Sequence, residues 1–593
     1  MTSETILMFG RRTFNLNPVG AGFEPALSGG FVGSVHFYRE QKFQVAENLT
    51  KVHGNHTFKF GGDLEPTWIS VQATLFSPGF AVFSPASFFG AGTGFPPGTP
   101  QAFLFLEPRQ FFGQQIPPRT LPFETGLYAG PSQAAFNAGT SLSFEHTLYS
   151  LYGQDQWRVR PNFTLTFGLR YDVDAMPSGA DLKLAGPGHY TNYGNVQPRL
   201  GFSYSMRDGK TVIRGGAGIF TGPFDYSDVL VSWIGASEFT YMNQPILKDF
   251  SNPARFLIGT GASGAVGVPG PFLSGPAFSN FTHNGIYPAP NTPLLQFPLG
   301  YATRRFKNAY AEQANLQIEN QVARDTFITV GYQWVHALRL PVYSSINGVP
   351  SGTTPSGVQA FVPADFNFGF ALIVQPDGYS IYNGGTLGFR KNFSHHYTLM
   401  ANYTYSKSID ISTDVQLANT PYDYLNPGLD RARGDNDVRH RFVMTGLAET
   451  PHEWNVFARD FKFSMLNTLQ SPRYYTLLAG FDVNGDIYPF SDRVGTIGRN
   501  TYRGDALYNT DIRVQRDVPV GERVKAEFSA ELFNLFNRPN VEDIDHVYGN
   551  AVFLGPVPRF FGDGVTSPTN PTFGTPKFVA PARQVQLSVR FSF

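Results

Sequence analysis

The 593 residues balance 45 Lys+Arg against 45 Asp+Glu, are only 15% charged, and include no cysteine. Nucleic-acid binding needs a basic surplus to displace counterions from phosphates, so that class is excluded; the missing thiols exclude disulfide scaffolds, thiolate zinc centres and cysteine nucleophiles. The 62 glycines and 45 prolines put much of the chain in turns and loops, while 57 Phe, 28 Tyr and 5 Trp supply large apolar rings to what must be a two-faced β-structure.

The N-terminus reads Met1 to Phe9 and then Gly10-Arg11-Arg12, too short an apolar stretch for a secretory signal. Two long charge-free stretches, Pro66 to Leu106 and Phe256 to Phe281, are broken by Gly, Pro and Ser, so they read as loops and not as membrane helices. Between and beyond them, apolar and polar residues alternate with period two. Weaker runs cover Ser34 to Leu49, His56 to Leu64 and Phe144 to Arg158; a clear one covers Asn162 to Val173, where Phe163, Leu165, Phe167, Leu169 and Tyr171 oppose Thr164, Thr166, Gly168, Arg170 and Asp172. Clear runs follow at Gln197 to Met206, Tyr397 to Ser406, Val524 to Leu532 and Val585 to Phe593. Weaker ones fill Val212 to Thr221, Tyr310 to Val322, Thr326 to His336, Tyr379 to Phe393, Val438 to Ala448, Phe461 to Gln470 and Tyr508 to Val518.

Strands of about 9–13 residues match what a tilted strand needs to cross a bilayer and exceed the usual length in a soluble sandwich or propeller. Tight connections at Val159 to Asn162, Arg207 to Lys210, Ala323 to Asp325 and Pro519 to Glu522 alternate with long ones near 65–143, 222–308, 339–378, 407–437 and 536–580. The expected fold is therefore all-β: one antiparallel transmembrane β-barrel domain over 1–593, partial, with roughly 14–16 strands. A soluble antiparallel β-protein is the alternative, and the polar rows suit a wet lumen or a solvent face equally. Tyr149, Trp157, Tyr171, Trp334, Tyr403 and Tyr405 near strand ends fit interfacial girdles.

The charges expected to face the lumen are Arg170, Arg199, Arg214, Lys525, Glu527 and Glu531. Asp482, Asn484 and Asp486 alternate as the front of a calcium loop does, but Ile487 stands where the sharp turn wants glycine, so an Asx-type turn is the favoured reading and no metal is assigned. The cluster Asp435, Asp437, His440 and Arg441 and the pair His395-His396 read as surface or lumen side chains. Neither a metalloprotease His pair, nor a nucleophile elbow, nor a phosphate-binding loop is present, so no enzymatic activity and no cofactor is expected. Phe76 to Phe89 and Phe103 to Phe112 are Phe-rich loops that suit an apolar or carbohydrate-like ligand, or packing on one another.

Several segments resemble, in order, the C-terminal barrel of TonB-dependent outer-membrane receptors of the Oar-like group. They are His56-Thr-Phe-Lys-Phe-Gly-Gly-Asp-Leu64, Tyr152 to Asp172, Gln197 to Tyr204, Thr211 to Phe220, Arg499 to Gly504, Phe533 to Val541 and the terminal Arg590-Phe-Ser-Phe593. The resemblance implies a bacterial outer-membrane location, contact with outer-membrane lipid, and energised uptake of a bulky, unspecified nutrient. It makes Phe593 the C-terminal signal for the barrel-assembly machinery. It also implies a plug and a TonB-contacting box, neither of which is found ahead of Leu64, so the expectation is a truncated barrel that engages the TonB complex only if a plug segment is supplied. The alternative is a plug-less passive porin or surface-adhesion barrel.

Overall fold

In a computed structural model, residues 2–14, 33–75, 79–84, 101–106, 115–116, 128–129, 141–177, 191–222, 246–247, 301–302, 307–345, 348–354, 357–363, 372–411, 421–479, 483–486, 492–521, 524–548, 570 and 572–592 are described. Nearly all of their regular structure is β. The only helical element among them is the single 3-10 turn Pro427–Asp430, and no helix is long and apolar enough to cross a membrane.

Sixteen long strands run in an antiparallel meander. They are β1 (Thr2–Phe14), β2 (Gly33–His53), β3 (His56–Leu75), β4 (Ser141–Arg160), β5 (Phe163–Ala175), β6 (Asn192–Met206), β7 (Thr211–Thr221) and β8 (Tyr310–Ala323). Then follow β9 (Thr326–Ser345), β10 (Leu372–Ser394), β11 (Tyr397–Asp410), β12 (His440–Glu449), β13 (Phe461–Gln470), β14 (Leu507–Val520), β15 (Val524–Phe533) and β16 (Gln584–Ser592). With the two-residue segments Tyr301–Ala302 and Ala432–Arg433 they form one 18-stranded sheet. Each long strand pairs with its neighbour in sequence, and among the described residues no pairing joins β1 to β16.

The register keeps one parity on each face across the whole sheet, because residues directly opposite in an antiparallel pair share a face. Tyr152 stands opposite Gly61 and Arg170, Arg170 opposite Gln197, and Lys525 opposite Ser592 on the polar face. The outcome inverts a soluble protein. Leu169, Leu200, Leu387 and Leu587 are 52%, 54%, 51% and 76% exposed, whereas Asp172, Gln197 and Asp174 are 7%, 2% and 0% exposed. Apolar rows facing outward and polar rows enclosed are what a strand wall between lipid and a lumen requires, and the opposite of two sheets stacked on a greasy core.

Connections at one end are short: residues 54–55, 161–162, 207–210, 324–325 and 395–396. The turn between β10 and β11 places both His395 (φ 50) and His396 (φ 66) in the left-handed region that a two-residue hairpin demands. The pair therefore caps a hairpin and does not lie on a strand. In the β8–β9 turn, Lys391 Nζ donates to Asp325 Oδ2 at 2.8 Å and the Ser394 hydroxyl donates to the same oxygen. Those two bonds, Lys391 first, hold the Asp325 carboxyl well below its usual range. A group depressed in this way stabilises the fold above its unfolded pKa of about 4 and loses that contribution as pH falls through the lower folded value. Wild type is thus expected to outlast Asp325→Asn in denaturant at pH 7 and pH 5, with the gap closing only below about pH 4.

Several strands outrun the periodic signal. β3 continues through Pro66 to Leu75, although proline cannot donate to a ladder. The β2–β3 ladder steps from Val45↔Leu64 to Lys42↔Thr67, so Pro66 sits where that pairing is interrupted. β9 continues past His336 through a pair of register shifts around Leu338, Leu340 and Val342. Strands of 20 to 23 residues, such as β3, β9 and β10, are about twice the length that spans hydrocarbon, and their surplus stands beyond the membrane on the long-loop side. β1 was invisible to periodicity because Ile6 to Phe9 is a continuous apolar run.

Close packing on the wall falls on glycines. A Cβ on Gly61 would lie 2.4 Å from the Tyr152 ring and 2.7 Å from the Glu47 carbonyl, and the Tyr152 hydroxyl is held by Asn48 Oδ1 at 2.6 Å. Gly61→Val must push aside both a ring and a backbone, at an expected cost of about 1–3 kcal/mol for overpacking. A fall in the heat-modifiable fraction on a gel checks it, and Gly385→Ala, on the same wall with nothing nearer than the Tyr405 carbonyl at 4.0 Å, is the paired control.

Candidate functional site

The enclosed face carries two polar lattices. On β4, β5 and β6, Arg170 donates to Asp172 (Nε to Oδ1, 2.8 Å) and to Ser150 (2.7 Å), and Gln197 donates to Asp172 Oδ2 at 2.5 Å. Arg199 donates to Gln197 Oε1 at 3.2 Å while its guanidinium lies 4.6 Å from the Phe220 ring centre. Towards the long-loop end the lattice deepens into a buried node: Asp174 pairs with His146 and accepts from Asn308 Nδ2 at 2.6 Å, and Asn192 donates to Asn308 at 3.3 Å. Ile69, Val71 and Leu142, each 2% exposed, close an apolar patch on the same face nearby.

The second lattice spans β13, β14 and β15. Arg513 bridges Glu527 at 2.8 Å and Glu531 at 3.0 Å; Asp517 is shared by Lys462 at 3.0 Å and Lys525 at 2.8 Å. Arg590 of β16 stands opposite Glu527 in the register. The six charges singled out by sequence thus fall on one face, but in separate groups. Arg170 and Arg199 share the first lattice, and Lys525, Glu527 and Glu531 the second; Arg214 stands apart, opposite Ser203 and Gln317. Sequence reasoning missed Asp172, Asp174, Gln197, His146 and Asn308, as well as Arg513, Asp517 and Lys462. Strand parity marks most of them, since they sit on the same polar rows, but their partners lie up to 134 residues away.

Above the long-loop end, connecting segments fold into a cap. Leu477, Val494, Ile497, Tyr548 and Phe573 form its core, with Tyr502 packed against them. The hairpin Gly348–Thr353 with Gln359–Pro363 reaches in, and Phe361 stacks on Tyr424 with ring centres 4.5 Å apart. Burial, then Asp486 and Asp423, pushes the Tyr424 hydroxyl far up from its usual value. Arg493 is fully enclosed, paired with Asp430 and stacked over Tyr422 at 4.7 Å. Arg499, in one of the segments that carry the family resemblance, pairs with Asp410 at the end of β11 and reaches Asp435 at 3.5 Å; Asn500 donates to Asp435 at 2.6 Å. Arg499 thus ties the cap to the rim of the wall, with Asn500 beside it donating to the Arg433 carbonyl. Of the remaining charged cluster, Asp437 takes the Ser408 N–H at 2.7 Å and Arg439 at 3.0 Å, while His440 meets the Tyr403 hydroxyl at 2.7 Å on the outward face.

Asp482 lies outside the described residues. Asn484 and Asp486 are buried in the cap, where Asn484 Oδ1 accepts the Asp486 N–H at 2.9 Å and its amide donates to the Tyr422 carbonyl at 2.9 Å. That is the Asx-type turn, and among the described residues no group of side chains is arranged to hold a metal ion. Phe593 also lies outside them. In the Phe-rich loops, Gly79–Ser84 pairs with Gln101–Leu106 and the rest is outside the described residues. The outward girdle residues stand as expected on the apolar face, with Trp157 stacked on His56 at 5.4 Å near the short turns and Tyr149, Tyr171 and Tyr405 nearer the loops.

No curated protein sequence matches the chain. Among solved structures, the outer membrane transporter YddB from Escherichia coli aligns at 10% identity with a TM-score of 0.48, over 93% of this chain and 54% of that one. The copper transporter OprC aligns at 10% identity and 0.46 over 100% and 62%. The ferric enterobactin receptor PfeA from Pseudomonas aeruginosa, in complex with enterobactin, aligns at 12% and 0.46 over 100% and 60%. The chain thus spans a little over half the length of these structures. The model of the outer membrane beta barrel domain matches residues 9–493 and 484–586, nearly the whole meander, and the chain belongs to that family of bacterial outer-membrane proteins.

Proposed function

We propose that the chain forms the barrel wall of an energised outer-membrane importer of the TonB-dependent type, which takes up a bulky nutrient. The observation that carries this reading is the enclosed polar face: mixed-sign lattices at Arg170–Asp172–Gln197 and Arg513–Glu527–Glu531 under a folded loop cap. Such a face suits contact with a gating plug and with a polar solute, because partly exposed charges of both signs, Arg513 beside Glu527 and Glu531, offer complementary groups to either. The collinear resemblance to Oar-like receptors supports the same reading. In it the barrel-assembly machinery inserts the chain by reading the last strand and Phe593, and the TonB complex acts through a plug segment.

The test follows accumulation of labelled oligosaccharides and peptides in cells that express the gene from its own locus with everything its reading frame encodes. Uptake that stops when TonB is deleted or the proton-motive force is collapsed supports the importer. Uptake indifferent to both would replace it with the passive-pore reading, which the wet, polar lumen favours.

A further inference from the structure

Six of the turns at the short-connection end take two to four residues, but the β12–β13 connection, residues 450–460, takes eleven. Several of its polar groups are satisfied within it. The Thr450 N–H donates to the Phe461 carbonyl at 2.8 Å, and the Phe461 N–H donates to Thr450 Oγ1 at 2.8 Å. Asn455 Oδ1 accepts the Phe457 N–H at 3.1 Å, and its carbonyl accepts from Ala458 and Arg459 at 2.9 and 3.0 Å. His452 Nδ1 meets Asp460 Oδ1 at 2.8 Å, and Asp460 takes φ 63 to close the loop. Beside the exposed His452, Glu453 and Asn455, this compact turn presents three large apolar side chains outward: Trp454 is 53% exposed, Val456 54% and Phe457 84%.

The turn is tied to the wall through Arg516. Arg516 stands opposite Phe461 and Phe528 on the lipid-facing row of β14. Its guanidinium lies 4.8 Å from the Phe461 ring centre and donates to the Val456 carbonyl. That bond folds the turn back against the outer wall. Three adjacent apolar side chains exposed in water would be a liability. At a headgroup boundary they are what an amphipathic anchor uses: tryptophan at the interface, phenylalanine deeper, arginine at phosphate level.

We propose that residues 450–460 form an interfacial anchor that buries Trp454, Val456 and Phe457 in the phospholipid leaflet facing the short turns, with Arg459 and Arg516 at its phosphates. The occupant is the leaflet itself, because the patch is continuous with the lipid-facing row of Phe461, Phe463 and Phe528.

The absence of native cysteine allows a direct test. Phe457→Cys carries a nitroxide in the full chain, refolded into vesicles of phosphatidylethanolamine and phosphatidylglycerol and accepted only if migration on a gel stays heat-modifiable. Lys210→Cys, on another short turn, is the aqueous control. The label at 457 is expected to be at least several-fold more accessible to oxygen than to a nickel chelate, relative to the label at 210. Equal ratios at the two sites would overturn the anchor. A second reading needs no substitution at 457. With Trp68, Trp157, Trp233 and Trp334 changed to Phe, Trp454 emission should be quenched most by lipids brominated near the headgroup. Quenching by aqueous iodide alone would sink the proposal.

Discussion

Leu387→Arg is expected to destabilise the inserted protein by about 2–4 kcal/mol, whereas Thr386→Arg, one residue earlier on the same strand, should cost less than about 1 kcal/mol. The two positions lie at one depth, seven and eight residues from the β10–β11 turn, so bilayer thickness and secondary structure cancel in the comparison. Only the face differs. Leu387 is 51% exposed on the apolar row, opposite Val330 and Tyr403, and an arginine there must snorkel through hydrocarbon or draw water into it. Thr386 stands opposite Gly331 and Thr404 on the polar row, where a guanidinium meets water and hydroxyls. Urea unfolding from vesicles, read as loss of heat-modifiable migration, gives the two midpoints. Equal midpoints would mean that the apolar row does not meet lipid, and the location of the whole wall would fall with it.

How much of this was legible in the sequence follows from the kind of interaction involved. The wall was legible where one face is oily and the other polar, as at Asn162 to Val173, because alternation is a property of neighbours in the chain. It failed at β1, where Ile6 to Phe9 is apolar on both faces, and at the ends of β3 and β9, where Pro66 and Pro341 look like loop signals until the ladder is seen to break around them. Of the candidate site, Arg170 and Glu527 could be placed on the correct face by parity. Their grouping could not, since Asp174 meets Asn308 across 134 residues and Arg513 takes both Glu527 and Glu531 only because β14 and β15 register at Arg513↔Glu531. The cap was the least legible. Its core residues come from loops rich in Gly, Pro and Asn, with no periodicity for burial to imprint.

That cap supplies the second large expectation. Arg493→Met should cost about 3–5 kcal/mol of cap stability, because Asp430 and Arg493 are each 7% exposed at the side chain and removing one partner strands the other charge away from water. Asp430 accepts the Tyr422 N–H at 3.0 Å as well, and Arg493 covers the Tyr422 ring, so the loss spreads through the segment around residue 422 to Asn484, which donates to the Tyr422 carbonyl. The wall is held by an independent ladder and should survive: heat-modifiable migration stays, while limited proteolysis from the loop side cuts between residues 421 and 505. If the cost is a stranded carboxylate and not a lost side-chain volume, Asp430→Asn in the Arg493→Met background should restore protease resistance in part, since a neutral amide still serves as a hydrogen-bonding group and carries no buried charge. A double variant as fragile as the single one would show instead that the arginine holds the cap by packing on Tyr422, and the ion pair would lose its place in the account.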